Sequence, residues 1–186
     1  MARTFVACKQ AVFNRGKPPT SFLNELVDWG MAAPAEVFAV NDRVDIYSSV
    51  RPQLGPWRGD LHRRAVMLEV LRVLGGFESS WDWNAGVDIT NPTSNTPETE
   101  EAGIFQCSCN SMAFSPQLKT LFKSVSQDSS CLSFIKTTKQ NHRFAMEYCA
   151  RLLRFTTDHH GPIKGKHIHA WLRPDAVSEF QGFLAG

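Results

Sequence analysis

No stretch of the chain approaches the roughly 18 consecutive apolar residues that a membrane-spanning helix needs, so insertion into a bilayer is not expected. The opening residues, Met1-Ala2-Arg3-Thr4-Phe5, lack the apolar run and small-residue cleavage site of a secretory leader. That reads as a soluble chain made in a cytoplasm. No stripe of Lys and Arg is present, and the net charge is only +2. Nucleic acid is therefore not an expected partner, although contact with an anionic polymer is permitted. Internal repeats and low-complexity tracts are also missing, which excludes solenoids and long linkers. The five cysteines, Cys8, Cys107, Cys109, Cys131 and Cys149, are odd in number and irregularly spaced. They imply no disulfide framework and are expected to be reduced and mostly buried.

What is present suffices for one core. At 186 residues and 42% hydrophobic, with 13 Phe and 5 Trp, the chain is too short for two ordinary domains but long enough to fold on its own. A single unit over 1–186 is expected, with a helical and loop extension at 1–59, a core at 60–155 and a C-terminal segment at 156–186. Thr20 and Ser21 can cap a helix that begins at Phe22 and that Gly30 ends. Pro34 to Val40 reads as a short helix, and Asp42 to Gly59, which holds Pro52, Gly55 and Pro56, as loop. Asp60 to Glu78 is densely apolar and predicts a central helix packed on most sides, its polar residues being mainly His62, Arg63, Glu69 and Arg72. Residues 82–103, rich in Asn, Thr, Asp, Glu and Pro, suggest a loop or small hairpin. Further helices are expected over Pro116–Val125, Asn141–Phe155 and about Pro174–Phe183. The fold class is α+β, predominantly helical, with a small hairpin or irregular region lining a cleft.

The candidate chemistry centres on Glu78. At about 100° per residue, Met67, Leu71 and Leu74 lie within about 40° of Glu78 around the helix axis, whereas Glu69 lies about 180° away. Glu69 is therefore expected on the solvated face and Glu78 on the buried stripe. Apolar neighbours and the negative end of the helix dipole both disfavour an ionised carboxyl. A carboxyl kept protonated can serve as a general acid. Gly75-Gly76 is expected to loosen or kink the last turn.

The segment GGFESSW, a polar stretch and then EEAGIFQCS resemble the Glu-Ser … Gly-x-x-Gln signature of lytic transglycosylases and goose-type lysozymes. The matching residues are Glu78-Ser79 and Gly103-Ile104-Phe105-Gln106, and NHRFAMEYCARLL resembles the helix that packs beside the site in those families. The Tyr-Asn-Ala-Gly segment that usually follows is replaced by DHHGPIKGKHIHAW. The resemblance implies a lysozyme-like fold and a muramidase that cleaves peptidoglycan glycan strands, with Glu78 as the catalytic acid. A lytic transglycosylase, a chitinase or chitosanase, and an inactive wall-binding module are its alternatives. Glu101, which directly precedes the Ala-Gly-Ile-Phe-Gln run, is the first choice for a second carboxylate, and Asp88 the second. Ser79, Gln106, Phe105, Tyr148 and Trp81 (or Trp83) are expected at the substrate. Action on a wall without a leader implies an injected antibacterial effector or an endolysin, and an effector would need a cognate immunity or inhibitor protein.

Two other constellations compete. Cys107-x-Cys109 with His159, His160, His167 and His169 supplies ligand types for zinc, but the spacing fits no standard pattern, so no metal and no cofactor is expected. A nucleophilic Cys–His pair calls for a cysteine at a helix start, whereas Cys131 and Cys149 read more simply as core thiols. The histidine-rich tail is expected to close one end of the cleft, its four imidazoles gaining charge together near pH 6.5.

Overall fold

A computed structural model describes residues 2–86 and 96–186. Asp88 lies outside the described residues. The described chain is mostly helical with one small antiparallel pair of strands. No helix among these residues is long and apolar enough to cross a membrane.

Helix α1 (Thr20–Ala32) buries Phe22, Leu23, Leu26, Val27 and Trp29. Gly30 does not end it. A Cβ there would stand 2.8 Å from Leu68 Cδ1, so the missing side chain lets the central helix approach closely. The stop comes instead at extended Ala33 (ψ 144°) before Pro34, since a residue preceding proline disfavours the helical region. The helix expected from Pro34 shrinks to one 3₁₀ turn, Ala35–Val37. The loop expected from Asp42 contains helix α2 (Ile46–Leu54). Asp45 accepts hydrogen bonds from the Tyr47 and Ser48 amides while Ser48 answers its backbone N–H, a reciprocal cap that outweighs the interior Pro52.

Helix α3 (Asp60–Ser79) is the centre of the molecule, and His62, Arg63 and Ala65 to Gly76 along it are buried. Its burial on every side corrects the expectation for Glu69, which is fully buried rather than solvated. The reason is the C-terminal segment: helix α8 (Pro174–Ala185) packs along α3 and covers the polar face. Arg72, also fully buried, grips Glu69 with two bonds of 2.6 and 2.7 Å, and the Arg173 amide donates to Glu69 Oε1 at 2.9 Å. Arg72 reaches on to the carbonyls of Gln10 and Trp171. Two distant stretches of chain are thereby tied to one turn of α3. Arg63 is satisfied in the same manner by the Phe38 and Ala39 carbonyls and lies over the Tyr47 ring.

Strand β1 (Glu101–Ala102) pairs with β2 (Cys107–Ser108), Glu101 opposite Ser108 and Ala102 opposite Cys107. The turn between them needs left-handed backbone at Gly103 (φ 71°) and Gln106 (φ 46°). Helix α4 (Pro116–Val125) is capped by Ser115 and α6 (His142–Phe155) by Asn141, both close to expectation. Helix α5 (Cys131–Gln140), capped by Ser130, was not foreseen. A single turn, α7 (Gly161–Lys164), follows His160. One buried cluster runs from Cys8 to Phe180. Phe122, Phe134, Phe144 and Tyr148 form its aromatic part, with ring centroids 4.9–6.0 Å apart.

The cysteines are not all reduced. Cys109 and Cys131 form a disulfide, and Cys8, Cys107 and Cys149 are free and buried. The bridge joins the segment after β2 to the first residue of α5, a juxtaposition that only the tertiary fold creates. Alkylation of the denatured, unreduced protein is expected to label three cysteines, and five after reduction. Replacing Glu69 by Ala should cost about 3–5 kcal/mol in urea unfolding, because Arg72 is left buried without its carboxylate.

Candidate functional site

Helix α3 closes on an unusual turn. Ser80 (φ 55°) and Trp81 (φ 62°) are both left-handed, a conformation that costs non-glycine residues about 1–2 kcal/mol each. Packing holds the turn. The Ser80 and Trp81 amides bond the Gly76 and Gly75 carbonyls, and the indole N–H donates to the Arg72 carbonyl at 2.9 Å. The helix continues through the two glycines to Ser79. They make room for the folded-back ring: a Cβ on Gly76 would lie 2.7 Å from Trp81 Cζ2. Glu78 thus sits on a helical turn that is clamped from below.

Ser79 ties this end to the hairpin. Its hydroxyl donates to the Ile104 carbonyl at 2.9 Å, within the Gly103–Gln106 turn. The turn packs directly onto the helix end here, rather than standing across a gap from it. Gln106 is buried, and its amide donates to the Gly103 carbonyl at 2.8 Å, so it braces its own turn.

Glu78 meets a histidine. His160 Nδ1 lies 3.3 Å from Glu78 Oε1, the ring being 1% exposed and the carboxyl side chain 16%. The other ring nitrogen, Nε2, is 3.8 Å from Cys149 Sγ, and Cys107 Sγ completes a group whose three donor atoms all lie within 4.8 Å of one another. Three elements converge: Cys107 begins β2, Cys149 lies on the core face of α6, and His160 caps α7. Burial alone would push the His160 imidazole down, but its bonds to Cys107 and Glu78, with their charges, carry it up to about 10. A hydrogen bond with Cys149 pulls the Cys107 thiol down to about 6; burial opposes this and His160 reinforces it. Burial, then the adjacent Cys107, pushes the Cys149 thiol up. The ring thus stands between the two sulfurs, toward which Nε2 points, and Glu78, which Nδ1 meets. Glu78 therefore does not have the purely apolar surroundings read from the sequence: its neighbour is a histidine ring.

The order Glu78–His160–Cys is that of a thiol hydrolase, but burial decides against that chemistry. Cys107 and Cys149 are 1% and 0% exposed, where no substrate carbonyl reaches them, and Cys107 starts a strand rather than a helix.

The other residues singled out in the sequence divide. Phe105 and Tyr148 are fully buried, Tyr148 bonding Ser111 at 2.7 Å, and Trp81 is packed on the glycines. These three hold the site from inside and present no face to a sugar, which corrects their assignment as substrate contacts. Trp83 is half-buried and stacks on His142 with centroids 3.7 Å apart. Glu101 lies on β1, one residue before the partner of Cys107. The tail histidines do not titrate as a set. Burial, with His160 beside it, holds His159 down at about 3, burial lowers His169, which contacts Ser49, and His160 is raised. Of that tail, His160 is the residue that reaches Glu78. Cys107, Cys149 and His160 were visible individually, but their convergence across α6 and β2 carried no sequence signal.

No family model, curated protein or solved structure compared with the chain matches it.

Gly76→Ala should force the Trp81 ring off the helix end. The expected result is a loss of about 1–3 kcal/mol in unfolding experiments, with a changed near-ultraviolet circular dichroism signal from tryptophan.

Proposed function

We propose that the chain is a glycoside hydrolase acting on peptidoglycan strands at the β-1,4 bond between N-acetylmuramic acid and N-acetylglucosamine, with Glu78 as proton donor. The observation that supports this reading most is the Ser79–Ile104 hydrogen bond of 2.9 Å. It joins the Glu-Ser end of a buried helix to a Gly-x-x-Gln turn, the two pieces on which the resemblance to lysozyme-like enzymes rests. A clamped helix end also meets a requirement of the chemistry, since a general acid must be held within hydrogen-bond reach of the leaving oxygen.

In this reading Glu78 Oε1 is oriented by His160, and the other carboxyl oxygen delivers a proton to the glycosidic oxygen as the C–O bond breaks. Positive charge then grows on the anomeric carbon. Glu101, on the strand beside β2, is the carboxylate that stabilises this charge or activates the incoming water. Water supplies the hydroxyl of the new reducing end and restores the proton on Glu78. His160 is a positioning residue here, because it acts through Glu78.

Glu78→Gln should remain folded and degrade purified peptidoglycan at least about a hundredfold more slowly, the scale of losing a general acid. Mass analysis of the parent digest should show reducing muramic ends. Anhydro ends would assign a lytic transglycosylase instead, and cleaved peptides would overturn the glycosidase reading.

A further inference from the structure

The buried cluster behind Glu78 has a shape that the glycosidase reading does not use. We propose that Cys107 Sγ, Cys149 Sγ and His160 Nε2 form a binding site for one thiophilic divalent metal ion of the zinc class. The sequence argued against a metal because Cys107-x-Cys109 is too tightly spaced. The fold removes that objection by placing Cys109 in a disulfide and setting Cys149 beside Cys107 instead.

Geometry carries the assignment. With Zn–S near 2.3 Å and Zn–N near 2.0–2.1 Å, a tetrahedral site separates a sulfur from a nitrogen by roughly 3.5 Å and two sulfurs by roughly 3.8 Å. Cys149 Sγ and His160 Nε2 are 3.8 Å apart, and all three donors fall within 4.8 Å. From that upper limit, the widest pair closes on an ion with a movement of up to about 1 Å. Two thiolates and one imidazole are a soft donor set that suits zinc and disfavours magnesium or calcium.

The ring's other nitrogen also has its partner. A metal-ligating histidine ordinarily gives its other ring N–H to a carboxylate, which fixes the tautomer and the ring plane. Glu78 stands 3.3 Å from His160 Nδ1 in that role, leaving Nε2 toward the sulfurs. Burial is consistent with this, since charged groups enclosed in a core are paired or coordinate a metal. The nearby Cys109–Cys131 bridge shows that this chain can carry oxidised cysteines, and a metal would keep the adjacent thiol pair from the same fate. Binding releases the thiol and imidazolium protons to solvent and changes no oxidation state. Three protein donors leave the fourth position to water.

The test is cobalt(II) added to the full-length protein after chelator treatment, followed by competition with zinc(II). The expected result is one ion per chain, the visible absorption of tetrahedral cobalt, and an ultraviolet thiolate-to-cobalt band that zinc abolishes. Cys107→Ser and Cys149→Ser should each weaken binding about a hundredfold or more, and Glu78→Gln about 10–100-fold, the effect of an outer-shell partner. Cys8→Ser, whose thiol faces the Ala176 carbonyl, should bind as the parent does. A folded parent protein without a thiolate–cobalt band overturns the proposal, even where a serine variant fails to fold. Recovery of Cys107 and Cys149 as a disulfide, or equal binding by a Cys107→Ser/Cys149→Ser double variant, does so too. None of these readouts depends on glycan cleavage, so the two proposals stand or fall separately.

Discussion

From Ala65 to Gly76 helix α3 has no solvent face, and that constraint organises the rest of the molecule. A helix enclosed on all sides must find partners for every polar side chain it carries, because a buried charge without one is far costlier than any apolar contact is stabilising. Arg72 meets this demand with Glu69 and with carbonyls from both ends of the chain, and Arg63 with the Phe38 and Ala39 carbonyls. The polar residues of α3 thus act as anchors on which the N-terminal segment, the 38–39 strand of chain and α8 are hung. With the helix body fixed, its C-terminal end can hold the strained Ser80–Trp81 turn and present Glu78 at a defined place.

How much of this was legible in the sequence depended on where the information lay. Local signals were read correctly where they were strong. The runs from Pro116 and from Asn141 gave α4 and α6 close to their observed limits. Glu69 was misread because helical periodicity reports only which residues share a face, and α8, more than a hundred positions away, decides whether that face is wet. The Asp45–Ser48 cap was present in the sequence but hidden by Pro52 and Gly55. At the candidate site, the Glu-Ser and Gly-x-x-Gln pieces were readable, and so was the presence of histidines in the tail. The meeting of Cys107, Cys149 and His160 was not, because it depends on how β2 and α6 cross.

Glu78 belongs to both proposals, and they make compatible demands on it. As a proton donor it needs one oxygen held and the other directed at the substrate. As the partner of a metal-bound imidazole it accepts from Nδ1 through Oε1. An ion at the cluster would stiffen the junction of β2, α6 and α7 directly behind the carboxyl. The half-buried position of Glu78, between a sealed core and the surface, is where a group with one structural and one chemical contact is expected.

The central claim is that sugar meets this carboxyl and not another part of the surface. A groove of about 450 Å³ lined by Glu36, Pro116, Gln117, Leu121 and Arg151 offers a ready competitor. The most direct measurement is a crystal structure of the Glu78→Gln protein with a muramic acid–glucosamine oligomer. The account predicts a glycosidic oxygen within hydrogen-bond distance of the residue 78 side chain, with Glu101 facing the same sugar. An oligomer seated in the Glu36–Arg151 groove, with no sugar near residue 78, would contradict it.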